Sequence, residues 1–349
     1  MNIAIVTGSG GLVGSEAAIF LNNKNYKVIG IDNDSRKYFF GKNASTKKRT
    51  DFLKKTLKNF ASKSIDIRNY GSLEKLFKKY KNKIKVIVHA AAQPSHDWAA
   101  KEPFTDFGIN ANGTLNLLEL TRKFSNKAAF IYVSTNKVYG DTPNYLPLIE
   151  KKSRFEIPLQ HKFYSGIDET LSIDNSTHSL FGVSKLSADL LVQEYGKNLG
   201  LKTGVFRLGC ITGPGHAGAE LHGFLSYLVK AGINNIPYTI FGYKGKQVRD
   251  NIHSYDLVNC FWSFIKKPSK GKVFNIGGGR ENSCSVIEAI NIVEKKLKKK
   301  MIYHLSPKNR TGDHIWYITN NSKFKKNYPG WKLKYNLNNI IDQIIDSNY

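Results

Sequence analysis

Three glycines near the amino terminus have the spacing of a phosphate-binding loop. Gly8, Gly11 and Gly14 lie between an apolar run that predicts a strand and a segment that predicts a helix. Glycine permits a tight turn there, and it lets backbone N–H groups at a helix start approach a pyrophosphate. The next apolar run ends in Asp32, 18 residues after Gly14, where a carboxylate would face the ribose of an adenosine. This combination predicts a dinucleotide-binding site.

The acidic residue also predicts which dinucleotide is bound. A carboxylate accepts hydrogen bonds from the ribose hydroxyls and repels a 2′-phosphate, so Asp32 favours NAD over NADP although Arg36 is nearby. The spacing GxxGxxG is a weak signal alone and a strong one beside the strand, the helix and the acidic residue. We therefore predict NAD as the cofactor, with Leu12, Val13 and Asn33 as further contacts.

Apolar runs alternate with helical patterns along the first part of the chain, which is typical of a parallel sheet covered by helices. The predicted strands are residues 3–6, 27–31, 64–67, 86–89, 130–133 and 203–208. The predicted helices are residues 11–21, 72–79, 107–124 and 179–198. The pattern predicts an α/β fold with a Rossmann-type, doubly wound parallel sheet.

Beyond residue 213 the periodic segments become shorter, which indicates a smaller α/β lobe. The predicted elements of this lobe are a helix near residues 221–229, a strand near 238–241 and a helix over 286–299. No internal repeat is found.

Six segments carry a resemblance to a known family. They are residues 7–14 (TGSGGLVG), 66–68 (DIR), 89–93 (HAAAQ), 110–114 (NANGT), 134–140 (STNKVYG) and 246–250 (KQVRD). With them the chain resembles the extended short-chain dehydrogenases/reductases of the nucleotide-sugar epimerase and dehydratase group, along nearly its whole length. The resemblance implies NAD as cofactor and a nucleotide sugar as substrate, CDP-linked or alternatively UDP- or GDP-linked.

The resemblance also implies where the cofactor lies. Asp66 and Ile67 would contact the adenine, and residues 90–93 would line the cofactor channel. The predicted cofactor-binding residues are Gly8, Gly11, Leu12, Val13, Gly14, Asp32, Asn33, Arg36, Asp66, Ile67, Ala90, Ala91, Ala92, Gln93, Asn110 and Lys185.

Family members oxidise a sugar hydroxyl with a Ser or Thr hydroxyl and a Tyr-x-x-x-Lys pair on one helix. Residues four apart share a helix face, so the lysine lowers the pKa of the tyrosine, which can then accept a proton. Thr135 and Lys185 match the hydroxyl and the lysine, but Phe181 stands at the tyrosine position, and a phenyl ring cannot exchange a proton. We expect Thr135 to relay the proton toward a loop carboxylate such as Asp168 or toward water, while Lys185 holds the nicotinamide ribose.

The residues after Thr135 distinguish reactions within the family. Dehydratases have Asp-Glu after this threonine and decarboxylases have Glu two positions after it, whereas this chain has Asn136 and Lys137. Residues 134–141 and 166–169 most resemble the 2-epimerases of CDP-hexoses, which oxidise C2, turn the ketone over and return the hydride. A 4-epimerase of a UDP-hexose is one alternative. The other is a protein that binds NAD and a nucleotide sugar with little turnover, because the usual base is missing.

Arginines are the best candidates for binding the substrate diphosphate, since a guanidinium matches the geometry of phosphate oxygens. Arg249 and Arg310 lie in family-like segments, QVRD and NRTGD. The predicted substrate-binding residues are Ser134, Thr135, Asn136, His216, Arg249 and Arg310. His96, His178, His216 and His222 could contact sugar or phosphate, although a lone histidine in a polar loop is more often simply solvated. No metal-ligand spacing occurs among the histidines.

The expected domain organisation follows from these assignments. Residues 1–212 would form the NAD-binding domain and residues 213–349 mainly the substrate-binding lobe, with 245–265 returning to the first domain. Residues 140–178 are polar and lack periodicity, which predicts a long ordered loop over the active site.

Composition excludes several other classes of protein. The 349 residues include 53 Lys and Arg against 27 Asp and Glu, a net charge of +26, but the lysines are scattered without an aromatic-interleaved stripe, which argues against a nucleic-acid partner. No apolar run is long enough to span a bilayer and no signal peptide is recognised, so we expect a cytoplasmic protein without membrane insertion. The three cysteines are expected to be reduced thiols. Family analogy predicts a homodimer or tetramer.

Overall fold

The structure is a computed structural model that describes residues 1–215, 223–310 and 312–347. The strands are β1 (Ile3–Thr7), β2 (Lys27–Ile31), β3 (Phe60–Lys63), β4 (Ile84–His89), β5 (Ala129–Thr135), β6 (Ile149–Glu150), β7 (Phe155–Glu156), β8 (Lys202–Leu208), β9 (Cys210–Thr212), β10 (Tyr238–Phe241), β11 (Val248–His253), β12 (Lys272–Ile276), β13 (Ser283–Ser285), β14 (Tyr303–Ser306) and β15 (Trp316–Tyr317).

The helices alternate with these strands. They are α1 (Leu12–Asn23), α2 (Ser35–Phe40), α3 (Lys47–Thr56), α4 (Tyr70–Tyr80), α5 (His96–Lys101), α6 (Pro103–Phe107), α7 (Gly113–Phe124), α8 (Leu180–Lys197), α9 (Phe224–Asn234), α10 (Ser254–Lys266), α11 (Val286–Leu297), α12 (Ser322–Asn327) and α13 (Leu337–Asp346). None of the described helices is both long and apolar enough to cross a membrane.

Seven strands form one sheet in the order β12-β8-β5-β4-β1-β2-β3. Strand β1 pairs in parallel with both β2 and β4, and the pairs β2–β3 and β4–β5 are parallel as well. The strand order therefore reverses between β1 and β4, the point where doubly wound sheets bind ligands at the carboxyl ends of their strands. The predicted Rossmann-type α/β fold is confirmed.

Apolar side chains of the sheet and of its helices share one core. Ile5, Ile29 and Ile87 of the strands are fully buried in the same cluster as Phe77 of α4 and Leu117 of α7. These strands read as near-continuous apolar runs because a parallel sheet is buried on both faces. The core holds the carboxyl ends of β1, β2, β4 and β5 side by side, which is where the chemistry-bearing residues follow.

The chain divides into two compact units by its internal contacts. The first comprises residues 1–138, 180–207 and 258–274, and the second comprises 139–179, 208–257 and 275–349. The core of the second unit is formed by apolar residues of α9, α11, α13 and β10.

The division differs from the expected boundaries in two places, at residues 139–179 and in the returning segment, which is residues 258–274 rather than 245–265. Residues 139–179 group with the second unit, whereas they were expected within residues 1–212. The physical reason is long-range contact, since Ile167 bridges to Thr319 and Arg280 donates to the carboxylate of Glu156. The assignment of cofactor to one unit and of substrate to the other stays a prediction.

One predicted strand is wrong. Residues 64–67 follow β3 rather than form it, and the strand that pairs with β2 is residues 60–63. The edge strand is only partly buried and has a mixed polar sequence, so its pattern is weak. Ile67 is buried for another reason, because it packs where a side chain on Gly113 of α7 would have to lie.

The helix predicted over residues 107–124 is interrupted. Pro103 begins α6, residues 108–112 form a π-helical turn, and α7 follows from Gly113. Such wide turns are frequent at functional sites, and this one contains Asn110. Of the helix expected near residues 221–229, the structure shows α9 from Phe224, and residues 221 and 222 lie outside the described part.

Candidate active site

The glycine loop is so closely packed that two of its glycines admit no side chain. Gly8 has φ +66°, and a Cβ there would lie 2.8 Å from the amide nitrogen of Ala91. A Cβ on Gly14 would lie 2.1 Å from the carbonyl oxygen of Gly8. Helix α1 therefore starts directly against the end of β1, and the N–H groups of Leu12 and Val13 in its first turn have no partner within the helix. Such a helix start attracts a pyrophosphate.

The carboxylate of Asp32 follows β2 and is held by three donors. Its Oδ2 accepts from the amide of Gly10 at 2.8 Å, and its Oδ1 accepts from the amide of Asp34 at 2.9 Å. The hydroxyl of Thr46 donates to the same Oδ1 at 2.8 Å. These bonds fix the direction of the carboxylate at the end of the strand.

Two further predicted cofactor residues meet beside Asp32. The side-chain amide of Asn33 donates to Asp66 at 3.3 Å, and the guanidinium of Arg68 binds the same carboxylate through Nε and Nη2. The hydrogen bond from Arg68 lowers the pKa of Asp66. Arg36 packs its guanidinium over the ring of Phe40, 5.2 Å from the ring centroid.

The segment after β4 is tied to the glycine loop and to the π-helical turn. The amide of Ala91 donates to the hydroxyl of Thr7 at 3.1 Å. The amide of Gln93 donates to the side-chain oxygen of Asn110 at 3.0 Å, and the side chain of Asn110 donates to the hydroxyl of Ser184 at 3.0 Å. Residues 90–93, Asn110 and α8 therefore form one connected network.

The last two residues of β5 have different hydrogen-bond partners. The hydroxyl of Ser134 donates at 2.7 Å to the buried carboxylate of Asp189. The hydroxyl of Thr135 lies 3.4 Å from the side-chain oxygen of Asn136 and accepts from the amide of Lys137 at 3.2 Å. Ser134 thus binds the carboxylate of a buried ion pair between Asp189 and Arg207, whereas both partners of the Thr135 hydroxyl are neutral groups.

Lys185 and Phe181 lie one turn apart at the start of α8. The ammonium of Lys185 donates to the carbonyl of Val133 at 2.8 Å and lies 4.3 Å from the ring centroid of Tyr132. Burial lowers the pKa of Lys185 to about 7. The ring of Phe181 is nearly buried and meets the ring of His96 edge to face, with 5.0 Å between centroids.

In the second unit, Arg249 is paired with a carboxylate. Its Nη2 donates to Asp313, and its Nη1 donates to the carbonyl of Val248 at 2.7 Å. Arg310 is exposed, and its carbonyl accepts from the amide of Asp313 at 3.2 Å. The predicted substrate residue His216 and the candidate His222 lie outside the described residues.

Both loop carboxylates, Asp168 and Glu169, accept hydrogen bonds. Asp168 accepts from the amide and the hydroxyl of Thr170 at 2.9 and 2.6 Å, which stabilises a turn. Glu169 accepts from the amide of Asn275 at 2.6 Å, and burial raises the pKa of Glu169. The proposed catalytic role of Asp168 stays a prediction. Within the described residues, no cluster of His, Cys, Asp and Glu is suited to hold a metal ion.

The first unit fits a dinucleotide with a free adenosine ribose. The loop leaves no room for side chains at Gly8 and Gly14, the start of α1 offers N–H groups to an anion, and Asp32 is preoriented beside it. Thr46, which holds Asp32, could not be found from the sequence, because 14 residues without a local motif separate the two.

Comparison of sequences shows which known proteins this chain is similar to. A model described as the NAD dependent epimerase/dehydratase family matches residues 4–277. CDP-paratose 2-epimerase from Salmonella typhi is 34% identical over 304 residues, which cover 83% of each chain. UDP-glucuronate 4-epimerase from Thermodesulfobacterium geofontis is 29% identical over 303 residues, covering 86% of this chain and 82% of the relative.

A solved structure shows the same fold. It is a Tyr-to-Phe variant of UDP-glucuronic acid 4-epimerase from Bacillus cereus in complex with UDP-4-deoxy-4-fluoro-glucuronic acid and NAD. It is 25% identical and covers 100% of this chain and 99% of its own, with a TM-score of 0.79. The chain belongs to the NAD-dependent epimerase/dehydratase family of nucleotide-sugar enzymes. NAD is its cofactor. The predicted family and the predicted cofactor are both confirmed.

Proposed function

We propose that the protein is an epimerase that inverts C2 of a CDP-linked hexose through a transient ketone. The observation that carries the proposal is the surroundings of the Thr135 hydroxyl, whose partners are the side chain of Asn136 and the amide of Lys137. Elimination of water needs an acid and a base beside the sugar. With neutral partners at Thr135, the site favours return of the hydride over dehydration.

The predicted site residues of the first unit have separate roles in this reaction. Bound NAD would supply a hydride acceptor for the sugar carbon that can also return the hydride. Thr135 binds the reacting hydroxyl, and Lys185 supplies positive potential from a position fixed by the carbonyl of Val133. The glycine loop and Asp32 hold the cofactor throughout the cycle, because the same molecule must return what it has received.

The nucleotide part of the substrate is assigned by similarity and by charge. The identity to CDP-paratose 2-epimerase, 34%, exceeds the 29% to UDP-glucuronate 4-epimerase, which favours CDP and C2. Arg249 is proposed to bind the diphosphate, since its guanidinium is already oriented by Asp313 and Val248. Arg310 is proposed as a second contact.

The test follows an isotope at the carbon that inverts. The protein loaded with NAD is incubated with a CDP-hexose deuterated at C2, and NMR follows the configuration and the label. We expect inversion at C2 with the deuterium retained and no net change in NAD. Loss of the label to water would show proton abstraction at carbon and would contradict the hydride mechanism.

The control substrate is a UDP-hexose deuterated at C4. Inversion at C4 without inversion at C2 of the CDP-hexose would favour the 4-epimerase instead. If neither nucleotide sugar reacts, the protein is better described as one that binds NAD with little turnover.

A further inference from the structure

The missing phenol leaves the reaction without its usual proton acceptor, and the ring next to that position belongs to a histidine. Phe181 is 7% exposed and lies edge to face with His96, at 5.0 Å between centroids and 65° between planes. Phenylalanine cannot take a proton, whereas imidazole is the side chain whose charge changes most readily near neutral pH.

The backbone that carries His96 is held rigidly. His96 is the first residue of α5, and the hydroxyl of its cap Ser95 accepts from the amide of Trp98 at 3.3 Å. The side chain of Gln93 donates to the carbonyl of Ser95 at 2.8 Å and to the carboxylate of Asp106 at 2.7 Å. These bonds fix the backbone next to His96, and a fixed backbone helps to hold a side chain in the orientation that proton transfer requires.

His96 also lies at the functional edge of the sheet. Strand β4, seven residues before it, is the parallel neighbour of β5, whose last residue is Thr135. The bond from Lys185 to the carbonyl of Val133 ties the start of α8 to that same end of β5. Because Phe181 lies one turn before Lys185 and contacts His96, the imidazole lies near the carboxyl ends of β4 and β5, where the proposed reaction would take place.

Other titratable groups in this region are engaged elsewhere. Both ring nitrogens of His89 are bonded, to the hydroxyls of Thr7 and Thr114 at 2.8 and 2.9 Å. Asp106 accepts from Gln93 and from Asn110 through one oxygen.

Two charged side chains of α8 also have hydrogen-bond partners. Asp189 is bound by the guanidinium of Arg207 and by Ser134. The ammonium of Lys185 donates to a backbone carbonyl. His96, by contrast, is a titratable side chain whose ring contacts Phe181 directly.

We infer that the imidazole of His96 is the general base and acid of the reaction, taking the place of the phenol. This rests on the proposed function. The hydroxyl proton passes to a ring nitrogen while the C–H bond breaks and its electron pair goes to NAD, which leaves a ketone and an imidazolium. In the return step the imidazolium gives the proton back to the oxygen, so atoms and electrons balance over the cycle.

The first experiment removes the imidazole and restores it. His96→Asn should lower kcat by about a hundredfold to ten-thousandfold, the usual contribution of a general base, with little change in NAD affinity. Added imidazole should recover activity, and so should Phe181→Tyr in the same chain. Asp97→Asn, one position on, is the matched control and should retain the wild-type rate.

Two results would overturn the inference. One is a His96→Asn enzyme within about twofold of wild type while Asp168→Asn loses activity, since the loop carboxylate would then be the base. The other is a loss that neither imidazole nor Phe181→Tyr recovers, because that would indicate a structural role for the ring.

The second experiment does not depend on turnover. The protein with NAD is treated with diethyl pyrocarbonate, which modifies histidine, with and without a CDP-hexose, and the sites are mapped by mass spectrometry. His96 should be protected by the nucleotide sugar, and the exposed His304 on β14 should not. Equal modification of His96 in both samples would contradict the inference. Protection of His96 without inversion at C2 would contradict only the proposed reaction.

Discussion

The hydroxyl of Thr46 lies 2.8 Å from Oδ1 of Asp32, so a residue just before α3 helps to hold the carboxylate that is predicted to select the cofactor. The same hydroxyl lies 3.0 Å from Asp34, and the amide of Asp34 donates to Asp32. The residues between β2 and α3 are therefore folded back onto the end of β2. The predicted ribose site therefore depends on this segment as well as on the glycine loop.

Thr46→Val is expected to weaken NAD binding about tenfold. A hydrogen bond to a charged group contributes about 1.5–3 kcal/mol, and its loss frees the carboxylate to turn away from the ribose. Ser45→Ala is the matched control, since Ser45 donates only to Asp34, at 2.7 Å, and NAD affinity should change little. Calorimetric titration measures both, and an unchanged affinity in Thr46→Val would contradict this role.

The parts of the fold that were predictable have local signals. The glycine loop and Asp32 follow strands whose residues are apolar because both faces of the sheet are buried. Strand β3 has no such signal, since it is a partly buried edge strand, and the buried Ile67 beyond it suggested a strand in the wrong place.

The parts of the site that were not predictable depend on contacts between distant residues. Asp106 was not singled out, although it accepts from Gln93 and Asn110 in the buried network below α8. The sequence indicates His96 only as a possible contact of sugar or phosphate, because nothing near it in the sequence reveals its contact with Phe181, 85 positions later. Such roles arise only when the sheet brings β4, β5 and α8 together.

Stability should fall in acid because of His89. Burial lowers the pKa of His89 to about 3, from 6.5 when it is unfolded. Between these values the unfolded chain binds a proton that the folded chain does not, so the free energy of unfolding decreases as pH falls through this window. The contribution is about 1.4 kcal/mol for each pH unit.

His89→Gln is expected to remove this part of the pH dependence. Urea unfolding at pH 7, 6 and 5 measures the free energy of unfolding of both proteins, and groups common to both cancel in the difference. His304→Gln, at an exposed position, should follow the wild type. If the free energy of unfolding changes with pH in the same way for wild type and His89→Gln, protonation of His89 does not destabilise the folded protein.

The ion pair behind Ser134 should be essential for stability. Asp189 is completely buried, and it binds Arg207 at 3.0 Å and Ser134 at 2.7 Å. Asp189→Asn leaves the buried guanidinium without its counter-charge, which should lower the free energy of unfolding by about 3–5 kcal/mol. Adding Arg207→Met should recover part of this loss in urea denaturation.

A surface pair provides the comparison for that measurement. Lys47 and Asp51 are also paired, at 2.7 Å, but both side chains are exposed. Asp51→Asn should therefore change stability far less than Asp189→Asn. If the two variants lose similar amounts of free energy of unfolding, the burial of Asp189 does not explain the contribution of its ion pair to stability.

Binding of the nucleotide sugar is expected to depend on the guanidinium of Arg249 rather than on the overall charge of +26. Arg249→Met should raise KM for the CDP-hexose at least tenfold and leave NAD affinity unchanged, because it removes a fork that can bind two phosphate oxygens. Lys246→Met removes the same charge from a residue that is paired with Glu150 at 2.7 Å. Its KM should stay near the wild-type value in steady-state kinetics. Equal increases in the two variants would assign the effect to general attraction by a basic surface, and Arg249 would lose its proposed role at the diphosphate.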